Sequence, residues 1–245
     1  MAWKKRSKKG SQVEFVVSFI LFVAFIAFAY ALLSSKVDTG QSKQNSLESA
    51  EANIMSMISD NLTITSINAN TPSQGSCFEF MGISGSLGLS NTMIAENGSG
   101  TIFPAYSDGT NLYITRLDQG SDFFRVYSSP EFAPAPAISG SCMQLSEGTE
   151  GSSYAIGISK NYSYAFEQKI GQLFSSYSTD YAGLKKEVQV FPDDDFGMKF
   201  RYSNGTVITA GGTNSTISVF ADTVPVEYVN STAVIQQGKL EIDVW

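Results

Sequence analysis

The 245-residue chain contains no histidine. That absence removes Ser-His-Asp and Cys-His catalytic arrangements together with every imidazole metal ligand. Only two cysteines occur and they form no Cys-x-x-Cys pair, which excludes the common zinc and thiol-redox motifs. There is no Gly-x-Ser-x-Gly elbow, Walker-type loop or dinucleotide fingerprint. Beyond the first ten residues there is no run of Lys or Arg to neutralise phosphates, so nucleic acid is not an expected partner. No catalytic residues, metal site or cofactor are expected. A surface hydrolase has only unplaced carboxylates in its favour.

Charge is also scarce, at 16% of residues, and it is unevenly spread. Lys4, Lys5, Arg6, Lys8 and Lys9 hold five of the 16 basic residues, and no acidic residue lies among the first ten. Residues 11–245 therefore carry 11 basic against 23 acidic side chains, a net −12. Acidity of this kind keeps an exposed domain soluble. The basic leader is followed from Phe15 to Leu33 by 19 residues without a charge. As a helix they reach roughly 28 Å, near the ~30 Å bilayer core. The lysines ahead of the run predict a cytoplasmic N-terminus and an exterior remainder. The run is too long for a secretory signal core, and no Ala-x-Ala cleavage pattern follows it. Glu14 stands at its foot, where a carboxylate is costly unless it is paired or functional.

The order Lys8-Lys9-Gly10, Ser11-Gln-Val, Glu14, Phe15 and then about 20 apolar residues resembles the class III signal peptides of archaeal type IV pilin-like proteins. It is also similar to the N-termini of Tad-type pseudopilins. The resemblance covers residues 4–33. It implies a prepilin-type peptidase cutting between Gly10 and Ser11 on the cytoplasmic side, with the apolar helix kept in the mature subunit. Glu14 would then pair with the new N-terminal amine of a neighbouring subunit, an arrangement that neutralises a buried carboxylate. One departure is visible: Glu14 lies four residues after the cut, where the family's glutamate usually lies five after it.

Six Asn-x-Ser/Thr sequons follow, at Asn61, Asn97, Asn161, Asn204, Asn214 and Asn230. They fit a glycosylated exterior and favour an archaeal source. Cys77 and Cys142 would most simply form one disulfide outside the cell; two buried free thiols are the alternative. Between Ser34 and Leu62, Gly40 and a Ser/Gln-rich stretch break the apolar pattern. Leu47, Ala50, Ile54, Ile58 and Leu62 then recur at spacings of three and four, predicting a stalk helix. Its apolar edge packs either on the exterior domain or on neighbouring copies.

From Thr63 the pattern turns to short β-rich runs between Gly/Ser/Asn clusters, with hairpin turns at Asp108-Gly and Asn204-Gly. Three prolines between Pro130 and Pro136 predict an extended connector, which joins two lobes if the exterior is not one domain. Phe166, Ile170, Leu173, Phe174 and Tyr177 follow helical spacing, read as core or as a sugar-binding stripe. Leu240, Ile242 and Val244 share one face of a final strand. Asp193-Asp-Asp195 reads as an acidic turn or a cation ligand set.

The expected fold class is α+β, a long N-terminal transmembrane/stalk helix followed by a mainly antiparallel β extracytoplasmic domain. Its segments are a leader over 1–10, a transmembrane helix over 11–33, a stalk over 34–62 and a β-rich domain over 63–245. The expected function is a pilin-like or minor-pilin subunit of a cell-surface filament. The alternative is a membrane-tethered surface binding protein that does not polymerise. Expected partners are the membrane, the prepilin-type peptidase and other copies, with the C-terminal domain outside the plasma membrane.

Overall fold

The computed structural model describes residues 8–71, 76–90, 92–115, 123–138, 141–212 and 219–245; for 8–13 and 31–40 the backbone alone is described. A 51-residue helix, α1 (Lys8–Ile58), runs directly into strand β1 (Ser59–Asn70). The switch follows composition, because Thr63-Ile64-Thr65 is β-branched and favours the pleated surface. Lys169 holds the junction, its Nζ donating to Ser59 O at 3.1 Å and to Asp60 Oδ2 at 2.7 Å.

Seven further strands join β1 in a closed barrel. They are β2 (Cys77–Phe80), β3 (Met93–Asn97), β4 (Ile102–Ser107), β5 (Leu112–Thr115), β6 (Phe123–Ser128), β7 (Met143–Glu147) and β8 (Ser153–Phe166). The order is β1-β6-β3-β4-β5-β2-β7-β8, and β8 returns to pair antiparallel with β1 over nearly the whole length of both. A short helix, α2 (Ile83–Leu87), lies between β2 and β3. The barrel is filled by Phe78, Phe80, Phe103, Phe124 and Tyr154, whose rings meet edge to face. Tyr154 satisfies its hydroxyl on Met81 O at 2.7 Å, as a buried phenol must.

The remaining strands form a sheet in the order β10 (Val207–Ala210), β9 (Phe196–Arg201), β12 (Ile235–Val244) and β11 (Phe220–Val229). It joins the barrel where Tyr228 and Val229 of β11 run parallel to Ala165 and Phe166 of β8. The second half of α1, with α3 (Glu167–Thr179) and α4 (Tyr181–Val188), covers it. Leu47, Ala50, Ile54 and Ile58 are buried there, so this apolar edge packs on the chain's own sheet. Ser46 and Asn53 fasten it, Ser46 Oγ to Asp194 Oδ2 at 2.8 Å and Asn53 Nδ2 to Val188 O at 3.1 Å.

The expected fold class is corrected in several respects. The molecule is mostly β, built on an eight-stranded barrel with few helices. Among the described residues no helix is long and apolar enough to cross a membrane, which overturns the transmembrane helix expected over 11–33. Gly40 does not interrupt the helix, since one glycine costs only about 1 kcal/mol relative to alanine. The helix ends at Ile58, so Leu62 belongs to β1. Three of the strand pairings, β2–β7, β7–β8 and β8–β11, are parallel.

Candidate functional site

Two features lie outside the packed cores. The first is the Glu14–Tyr30 stretch of α1. Phe15, Phe19, Phe22, Phe25 and Phe28 are each 59–73% exposed, and the Val, Ile and Leu residues between them are exposed too. Since i, i+3 and i+7 positions are all apolar, no face of this helix is suited to water. Each such side chain gains roughly 1.5–3 kcal/mol on leaving water, so the stretch calls for an apolar partner the chain does not itself supply. Glu14 is exposed at its foot, without an ion-pair partner among the described residues. Gly10 and Ser11 lie on the helical backbone of 8–13, and the side chain of Ser11 is outside the described residues.

The second is a groove of about 590 Å³ where the outer face of the barrel meets the β11–β12 hairpin. On β1, Ile64 and Ser66 form its floor. In register with them stand Tyr127 and Arg125 of β6 on one side, and Lys160 of β8 opposite Ile64 on the other. Ile158, Tyr162 and Tyr164 continue the β8 wall, the two tyrosine rings 5.8 Å apart, and Ile235 overhangs. Arg125 Nη1 lies 3.4 Å from Tyr127 Oη and 3.9 Å from Glu96 Oε2. Burial pushes the Tyr127 phenol up, and it donates to Glu96 Oε2 at 2.8 Å. Six of the ten exposed large apolar side chains described outside 15–30 lie round this groove and its extension: Ile102, Phe123, Ile158, Tyr162, Val234 and Ile235. That concentration marks an interaction surface.

The other candidate positions are distributed over the body. Cys77 and Cys142 form a disulfide. It staples β2 to the start of β7, a parallel pairing only three residues long. In the chain-entropy model, closing this loop is worth about 4 kcal/mol. Asn61 and Asn161 come together: Asn61 lies opposite Ser163 and Thr63 opposite Asn161, with Thr63 Oγ1 donating to Asn161 Oδ1 at 2.6 Å. Asn204 is exposed in the β9–β10 turn, and Asn230 is half-buried in the β11–β12 turn. Asn97 is only 3% exposed, and its Oδ1 accepts from Ser99 N–H, Ser99 Oγ and Thr101 N–H. Asn214 lies outside the described residues. In glycosylated protein, glycopeptide mass spectrometry is expected to find sugar at Asn204 and none at Asn97; an occupied Asn97 would contradict its burial.

The acidic run serves structure. Asp194 receives Ser46, while Asp195 receives Tyr181 Oη at 2.9 Å and Lys185 Nζ at 3.2 Å and exchanges backbone hydrogen bonds with Trp245. No cluster suited to a metal ion occurs among the described residues. The aromatic stripe of α3 faces the core, where Tyr177 Oη donates to Phe196 O at 2.6 Å.

Several of these contacts set a pH dependence. The hydrogen bond from Lys169 holds the Asp60 carboxyl below the usual range, and that from Tyr181, aided by Lys185, does the same for Asp195. Burial pulls the Lys169 ammonium down, but its bond to Asp60 and the charge of Glu131 raise it on balance. Depressed carboxyls contribute stability that is present above their unfolded value of about 4 and is lost as pH falls through the folded value. The raised lysine contributes stability that is present below about 10.4 and is lost as pH rises through its folded value. Burial raises the Asp243 carboxyl and opposes the acid term. Acid titrations followed by circular dichroism are expected to show a shallower loss of stability below pH 4 for Asp60→Asn. An unchanged acid limb would remove Asp60 from the account.

Comparison with known protein families, with curated proteins and with solved structures finds no match.

Proposed function

We propose that this chain is a pilin-like structural subunit of a cell-surface filament, assembled by packing the Glu14–Tyr30 stretch against the same stretch of neighbouring copies. The observation that carries the reading is the exposure of large apolar side chains on every face of that stretch, on a helix whose other half is anchored in the C-terminal core. A bundle of such helices buries all faces at once, which a single partner surface cannot do. The role is structural rather than catalytic. Its site is the outer surface of the plasma membrane and the filament built there.

The order of residues around Gly10 and Ser11 supports processing by a prepilin-type peptidase, leaving Ser11 as the first residue. Glu14 then meets the amine of an adjacent subunit. Mass spectrometry of the mature N-terminus is expected to find Ser11. An intact leader would count against the reading, as would a Glu14→Ala chain that still appears in sheared surface filaments at the normal level. A second reading, an envelope binding protein that does not polymerise, is favoured by the groove beside β8, which assembly through α1 does not use.

A further inference from the structure

Strand β8 is paired on one side and largely open on the other. Against β1 it is bonded from Ser153 to Ala165. On its far side, β7 reaches only Ser153 and Tyr154, and β11 only Ala165 and Phe166. Among the described residues, no strand pairs with 155–164 there, so about ten residues of backbone edge stand exposed. Both polar groups of the Ile158 backbone turn inward, N–H to Ser66 Oγ at 2.8 Å and C=O receiving Ser66 Oγ at 3.2 Å. Strand alternation then turns those of Ser159, Asn161 and Ser163 outward, toward the side on which Ala165 meets β11. The same alternation puts the side chains of Ile158, Lys160, Tyr162 and Tyr164 in the groove.

An open edge beside a lined groove is the arrangement that accepts an added strand: main-chain bonds supply affinity and alternate side-chain sites supply specificity. We propose that β8 docks an extended peptide segment of another protein, with apolar side chains on the groove face and an acidic side chain set against Lys160. The acidic choice rests on charge. Lys160 and Arg125 are the groove's cations; among the described residues Lys160 has no ion pair, and the one carboxylate paired with Arg125 is Glu96, at 3.9 Å. On a chain carrying −12 beyond its leader, a cationic, aromatic groove is the exception to the surface. Ile158 and Tyr162 flank Lys160 along β8 with exposed apolar surface that only an apolar neighbour removes from water. This inference does not rest on assembly through α1.

The test uses the full chain in detergent and the peptide Val-Thr-Asp-Thr-Val-Thr-Val, which places Asp and three Val on one face. Calorimetry is expected to detect binding that Lys160→Glu weakens roughly tenfold by setting like charges together. Replacing the peptide's Asp by Lys restores affinity for that variant alone. Of two peptides N-methylated at alternate amides, the one whose methyl groups face β8 is expected not to bind. Equal binding of both methylated peptides, or indifference to the charge swap, would overturn strand addition. So would an oligogalacturonate that binds through Tyr162 and Lys160 while the peptide does not, because the groove would then be a glycan site.

Discussion

Phe124→Ala is expected to destabilise the barrel by about 3–5 kcal/mol, the range for deleting a fully buried aromatic ring. Phe124 has no exposed surface, and its ring lies 6.0 Å from Phe78, 6.1 Å from Phe80 and 6.2 Å from Phe103, centroid to centroid. It is the ring that touches all three, and its backbone pairs with β1 on one side and β3 on the other. Removing it leaves a cavity whose rigid aromatic walls cannot collapse, so the cavity adds to the lost transfer energy. Domain stabilities run to about 5–15 kcal/mol, so a loss of this size consumes about a fifth or more of it. The neighbouring Phe123 is the internal control. It faces the groove and is 38% exposed, so Phe123→Ala should cost clearly less, about 1–2 kcal/mol. Urea unfolding followed by circular dichroism separates the two; equal costs would mean that the barrel interior is not the one described.

The second large effect concerns assembly. Phe22→Asp places a carboxylate in the middle of the apolar stretch, where a bundled neighbour would have to bury it unpaired. Such a burial costs several kcal/mol for every copy, and a filament repeats the cost at each subunit. Sheared surface fractions are expected to lose the chain entirely. Phe22 is 60% exposed, outside the packed cores, so the stability of the body is expected to move by less than about 0.5 kcal/mol. Filaments that form normally from the variant would exclude helix bundling through this face.

Much of the body's local structure is legible in the residues themselves. The stripe Leu47, Ala50, Ile54 and Ile58 announces a packed helix because its period is 3.6, and the turns at Asp108-Gly and Asn204-Gly announce hairpins because Gly109 and Gly205 adopt positive φ. The disulfide is the simplest pairing of the chain's two cysteines. Barrel closure is different. It depends on β1 meeting β8 across about 90 residues and on the parallel β2–β7–β8 run, and neither leaves a local periodic trace. Leu62 keeps the helical spacing of Ile58 by coincidence, since from β1 it packs in a buried cluster with Phe132, Phe166 and Val229. The groove is hidden for the same reason as the barrel. Phe123 and Arg125 lie more than 30 residues from Ile158 and Lys160, and only β1 between them brings the two walls together. The one local sign is the alternation Ile158, Lys160, Tyr162, Tyr164, which continues through a strand with little buried surface.

Copies that associate through the Glu14–Tyr30 stretch must bury Phe22 of one copy against the same stretch of a neighbour, at an axial offset between copies. A photoreactive phenylalanine analogue at position 22, irradiated in intact cells and followed by electrophoresis and peptide mapping of the sheared filament fraction, reads this directly. Covalent dimers joined within residues 14–30 are expected in that fraction. A chain that cross-links to no second copy, and that no filament fraction contains, would contradict helix bundling.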